Sequence, residues 1–177
     1  MGGVQHAGEG LIGSSRERGA ALVEMALVLP LLLMLLLGIV SAGIAYNHQL
    51  SLTHAAREAG RYGATLPVEP DIGSWLAAVE ARAVEAATGS LGAGNPSVCV
   101  AYVHPNGAVP SDQTAKIENG LVTSGSGATC FDDGRPNDER RVQVRVERDV
   151  DFNALVFQTI LRLDSEGVNR FEAALGF

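Results

Sequence analysis

Met25-Ala-Leu-Val-Leu-Pro-Leu-Leu-Leu-Met-Leu-Leu-Leu-Gly-Ile-Val-Ser-Ala-Gly-Ile-Ala-Tyr46 is the stretch whose reading decides the fold. At about 1.5 Å per residue it spans roughly 33 Å as a helix, the thickness of a bilayer core. No formally charged residue lies between Glu24 and Arg57, and Tyr46 sits where an interfacial aromatic belongs. Pro30 and Gly38 do not veto the helix, because membrane helices tolerate both. Gly43-Ile44-Ala45 offers a small-residue cleavage pattern, but the apolar run is longer than the 7–15 residues typical of a signal peptide. The reading is a retained transmembrane helix over residues 20–46.

Outward from that helix the composition changes. Between Gly19 and Tyr46, 22 of 28 residues are apolar, against 60 of the other 149. The chain has 177 residues and a net charge of -7, with 20 acidic and 13 basic side chains. Such a balance, without a basic stripe, gives no electrostatic footprint for nucleic acid. After Tyr46 there are 17 acids and 11 bases, so nearly all of the negative charge lies beyond the helix. The positive-inside count is a draw, with Arg16 and Arg18 on one side and Arg57 and Arg61 on the other. Long domains translocate largely regardless of charge, which assigns the acidic remainder to the outside and the N-terminus to the cytoplasm.

Glu24 interrupts the apolar run near its start, in Arg18-Gly19-Ala20-Ala21-Leu22-Val23-Glu24-Met25. A carboxylate inside a bilayer costs up to about 2.5–3.5 kcal/mol at the centre, so it calls for a partner or a function. A basic residue, Gly19, four apolar residues and then Glu24 ahead of a long apolar helix resembles the processing site of type IV prepilins and pseudopilins. The resemblance implies cleavage by a prepilin peptidase between Gly19 and Ala20, after a leader of residues 1–19. The new Ala20 amine could then pair with Glu24 of a neighbouring subunit. With Leu52-Thr53-His54-Ala55-Ala56-Arg57-Glu58-Ala59-Gly60-Arg61-Tyr62-Gly63-Ala64 added, the segment resembles the TadE-like family, pseudopilins of the Tad (Flp pilus) assembly and secretion system. That family often has Phe where this chain has Met25. The partners implied are the peptidase, other pilin-like subunits, the Tad inner-membrane platform and membrane lipid, with no nucleic acid. The location implied is the cytoplasmic membrane, in a single pass.

Residues 47–66 continue the helical pattern as a stalk. Ala55, Ala59 and Gly63 recur every four positions, as do Ala56 and Gly60, which lets another helix approach closely. Arg57, Glu58 and Arg61 read as a solvated or paired face. Pro67 and Pro70 end the stalk, and residues 67–177 form an α+β domain with a helix on a short antiparallel sheet. That helix is capped by Asp71 or Ser74, stops near Thr88-Gly89, and carries Ile72, Trp75, Leu76, Val79, Ala83 and Ala86 on one apolar stripe. Val98–Val103 reads as a buried strand and Val142, Val144 and Val146 as the inner face of a half-exposed one. The segment between reads as loop, with room for one short strand, and carries turn signals at Asn106-Gly107 and Asn119-Gly120. Phe152–Ile160 suits a short helix, and Leu161–Leu175 a last strand pair.

The two cysteines, Cys99 and Cys130, suit an extracytoplasmic disulfide, with two free thiols the alternative. No catalytic set converges. His48 and His54 fall on different sides of a helix, His104 precedes Pro105 in a turn, and Asp132-Asp133 and Asp138-Glu139 lack calcium-loop spacing. No enzyme, cofactor or metal is expected. The alternative to a TadE-like minor pseudopilin is a bitopic envelope protein with an unrelated binding role and a plain signal anchor.

Overall fold

The computed structural model describes residues 10–67, 72–88, 96–103, 115–124, 129–135, 140–154 and 157–171. Their elements are α1 (Gly10–Thr65), α2 (Ile72–Thr88), β1 (Ser97–Val103), β2 (Ala115–Glu118), β3 (Leu121–Ser124), β4 (Arg141–Ala154) and β5 (Phe157–Arg170). The architecture is α+β: a long helix whose C-terminal half, with α2, packs on one face of an antiparallel sheet ordered β3-β2-β1-β4-β5.

α1 is one helix of 56 residues that runs through Pro30. It closes at Leu66, whose N–H donates to the Tyr62 carbonyl at 3.2 Å. Pro67 follows and disfavours helical geometry in the residue before it. The C-terminal half of α1 is sequestered: Leu52, Ala55, Ala56 and Ala59 are fully buried. The small-residue side expected to receive another helix is therefore filled within the chain. A side chain at Gly63 would press on Val79 and Trp75 of α2 and Val142 of β4. Gly167 of β5 lies so close that an added Cβ would be 2.8 Å from the Ala56 carbonyl oxygen. Short side chains let helix and sheet backbones approach, and the sheet takes the place of a second subunit's helix.

α2 buries Trp75, Leu76, Val79, Ala83 and Ala87. Of its expected caps, Ser74 lies inside the helix and Asp71 is outside the described residues. At the other end Arg148, itself buried, donates from Nη2 to the Ala87 carbonyl at 3.0 Å, placing a cation at the helix C-terminus. Glu58 of α1 and Arg82 of α2 meet at 3.2 Å, joining the two helices on their outer side.

β1 is buried from Val98 to Val103. On the inner face Val98, Val100, Val142, Val144 and Val146 join α1 and α2 in one core. The Asn119-Gly120 signal becomes the β2–β3 turn, with φ of 50° and 82° as a two-residue hairpin turn needs. Asn106-Gly107 lies outside the described residues. Two expectations are overturned. Phe152–Ile160 is not a helix, because β4 and β5 form an unbroken ladder from Arg141↔Arg170 to Ala154↔Phe157. Every second residue, Val150 and Phe152 against Leu161 and Thr159, faces the same side, so the operative period is two. β5 then runs on as a single strand to Arg170 rather than starting a strand pair at Leu161. The outer face of β4 is also less exposed than alternation suggests, since Arg141 and Gln143 are buried beneath the segment around Cys130–Arg135.

Candidate functional site

From Gly19 to Asn47, α1 leaves the rest of the chain behind. Leu22, Val23, Met25, Leu27 and the leucines of the 31–37 run are exposed, and a Cβ added at Gly19, Gly38 or Gly43 would meet nothing within 4 Å. One helix in the described chain is long and apolar enough to cross a membrane, and this is it. Gly19, Ala20 and Glu24 are exposed near its start. Leu52, where the fully buried core begins, lies roughly 42 Å further along the axis. Among the described residues, the first half of α1 thus has almost no covering from its own chain, with Gly38, Ser41 and Ala45 half-buried, while the second half is core. Such a surface can enter lipid or pack against other helices, and Glu24 offers it one hydrogen-bond acceptor with charge.

Among the described residues, the other groups singled out in the sequence form no reactive cleft. His48 is buried and His54 exposed, and His104, Asp138 and Glu139 fall outside the described residues. Among the described residues no cluster of His, Cys, Asp or Glu could hold a metal ion.

Asp132 and Asp133, adjacent in the sequence, part company in the structure. Asp132 is exposed and accepts the Gly134 N–H at 3.0 Å. The Asp133 side chain is 5% exposed and lies 2.7 Å from Nε of Arg141, itself 4% exposed. Gln143 donates to Asp133 Oδ2 at 3.0 Å and to the Phe131 carbonyl at 3.1 Å, and accepts the Cys130 N–H at 3.2 Å. Cys130 is disulfide-bonded to Cys99 of β1. Burial pushes the Asp133 carboxyl up, but hydrogen bonds from Gln143 and the Arg135 N–H, with the Arg141 charge, outweigh it and hold the group below the usual carboxylate value. This cluster fastens a loop over the sheet. Its signal in the sequence was Arg141 and Gln143 alternating with valines: both share the outer face with Cys99, so a loop tethered there must cover them.

Comparison with known proteins bears on the helix rather than on this cluster. Residues 19–61 match the family model of TadE-like proteins. The match agrees with the resemblance carried by Gly19, Glu24 and the segment Leu52–Gly60, and it supports a Tad pilus-associated protein with a membrane anchor. The TadE-like segment starts on the uncovered half of α1 and ends inside the core. No curated protein and no solved structure matches significantly.

Proposed function

We propose that the protein is a non-enzymatic minor pseudopilin of the Tad (Flp) pilus assembly and secretion system. A prepilin peptidase cuts between Gly19 and Ala20, the uncovered half of α1 anchors the subunit in the cytoplasmic membrane, and the α+β part stands on the outer side. Glu24 then pairs with the Ala20 amine of an adjacent pilin-like subunit, and the Tad inner-membrane platform receives the assembled helices. The observation that carries this reading is the coincidence of the TadE-like match at residues 19–61 with an apolar helix that the described residues of its own chain leave almost uncovered. Within an apolar bundle an unpaired carboxylate is far costlier than a paired one, so loss of one partner of such a pair costs about 3–5 kcal/mol.

N-terminal sequencing of the protein from its own membranes tests the processing step. A mature start at Ala20 is the expected result. A start at Tyr46 would make it a secreted protein, and retention of Met1 a plain signal anchor. Glu24→Ala tests the mechanism. The variant should insert in the membrane as well as the parent yet fail to co-purify with other pilin-like subunits; undiminished assembly would remove the pairing role.

A further inference from the structure

Beyond Tyr46, the side of α1 that points away from the sheet carries its own pattern. Leu50, His54, Arg57 and Arg61 fall on one narrow arc, opposite the buried face, and all four are exposed. With Thr53 and Glu58 they line a shallow open groove. Glu58 is engaged by Arg82 of α2 at 3.2 Å and lies 4.0 Å from Arg61. No carboxylate among the described residues forms an ion pair with Arg57. The groove therefore presents surplus positive charge at Arg57 and Arg61, preceded along the helix by the exposed Leu50.

The outer face of β4 and β5 carries the complementary pattern. Glu147 stands directly across from Asp164, and Arg145 from Glu166. Arg145 lies 2.7 Å from Glu147, 3.8 Å from Glu166 and 4.0 Å from Asp164, so three part-exposed carboxylates share one guanidinium. Like charges directly opposite on a sheet are destabilising, and this block keeps an unbalanced negative surplus. On the same face and earlier in β5, Ile160 is 66% exposed.

The two patterns agree in polarity and in spacing. Gln49 donates to the Asp164 carbonyl at 2.8 Å, Thr53 meets the Ser165 hydroxyl at 3.3 Å, and Ala56 lies against Gly167, so α1 and β5 run in the same direction. Arg57 to Arg61 is about 6 Å along the helix, and Asp164 to Glu166 about 7 Å along the strand. Leu50 to Arg57 is about 10 Å, and Ile160 to Asp164 about 13 Å, a difference an arginine side chain spans. Within one chain the two surfaces face opposite ways with helix and sheet between them, so neither can satisfy the other. Two chains side by side match only if they point the same way, as copies anchored in one membrane do. Asp164 is level with Gln49, eight residues before Arg57, so the copy offering its sheet stands about 12 Å further from the membrane. The apolar run accommodates such a step: Ala20 to Tyr46 is about 39 Å, against about 30 Å of hydrocarbon.

We propose that the groove on the outward side of α1 receives the outer face of β4 and β5 of a second copy, with Arg57 against Glu147 and Asp164, Arg61 against Glu166, and Leu50 against Ile160. The proposal rests on the reading of the chain as a membrane-anchored pilin-like subunit, and it supplies a contact outside the membrane. Because the two surfaces differ, the contact is heterologous. It leaves a free groove at one end and a free sheet face at the other, and so it continues as a row of copies.

The test uses the full chain in phosphatidylcholine vesicles, with Leu50→Cys in one set of molecules and Ile160→Cys in another. The native cysteines are bonded to each other, so a short bis-maleimide reacts with the added thiols alone. Mixed vesicles should yield a cross-linked dimer, and vesicles holding either chain by itself should not. Arg57→Glu with Arg61→Glu in the Leu50→Cys chain should lower the yield about tenfold or more, since like charges then meet across the contact. Asp164→Arg with Glu166→Arg in the Ile160→Cys chain should restore it, which a misfolded variant could not do. Absence of the mixed dimer, a yield indifferent to the first reversal, a loss the second does not repair, or a dimer of the Leu50→Cys chain by itself would overturn the proposal. Release of the parent chain from the vesicles by alkaline carbonate would instead defeat the anchor reading.

Discussion

Asp133 holds most of the electrostatic consequence in the folded part. Its carboxyl is held below the usual value in the folded chain, whereas in the unfolded chain it titrates near about 3.9. The stability it contributes is therefore complete above about pH 4 and is lost as pH falls through the lower, folded value. Asp133→Asn leaves Arg141 buried without its carboxylate and should cost about 3–5 kcal/mol at pH 7, while flattening the acid limb of stability against pH. Urea unfolding at several pH values reads both effects, and an unchanged acid limb would count against the pair. Gly167→Ala is the steric counterpart: the added methyl meets the Ala56 carbonyl, which as backbone cannot rotate away, at a cost of about 1–3 kcal/mol by thermal unfolding. Neither role was legible in the sequence. An Asp-Asp pair in a polar loop has the same local signature whether solvated or buried, and a strand glycine reveals its purpose only when the opposing backbone is known.

At the scale of elements, legibility followed the length over which a pattern persists. α1 and the stripe of α2 were readable, because apolar spacing over many residues leaves one solution. β4 and β5 were readable only where valines alternate; in Phe152–Ile160 the mixture of Asn, Ala, Gln and Thr fits either period, and the choice is made by pairing across the ribbon. The small-residue stripe of α1 was legible as a close-packing face, but its occupant was not, since Ala and Gly admit any backbone. The disulfide acts at this scale too. It closes 31 residues of chain separation between β1 and the covering loop, which the chain-entropy relation converts to about 3–4 kcal/mol. Replacing Cys99 and Cys130 together by Ser should lower the urea midpoint and raise the denaturant slope, because the unfolded chain released from the crosslink is less compact and exposes more surface.

For the whole molecule, the position of the folding unit along the chain is the question with the sharpest answer. Leu52, Ala55, Ala56, Ala59 and Ala64 of α1 belong to the same core as α2 and the sheet, whereas residues 19–47 contribute little to it. Helix and sheet need each other: without the helix Val142, Val144 and Val146 lose their cover, and without the sheet Leu52 and the alanines lose theirs. A chain beginning at Asn47 keeps this core and sheds the apolar anchor. It should be soluble and unfold in one cooperative urea transition, with the disulfide intact. A chain beginning at Pro67 has α2 and all five strands yet lacks one wall of the core, and it should show no cooperative transition by circular dichroism. If instead the shorter chain melted as sharply as the longer one, α1 would be an anchor resting on a complete domain. The first outcome ties anchor and core into one helix, so that a force or tilt applied to the membrane half of α1 is delivered directly to the sheet it supports.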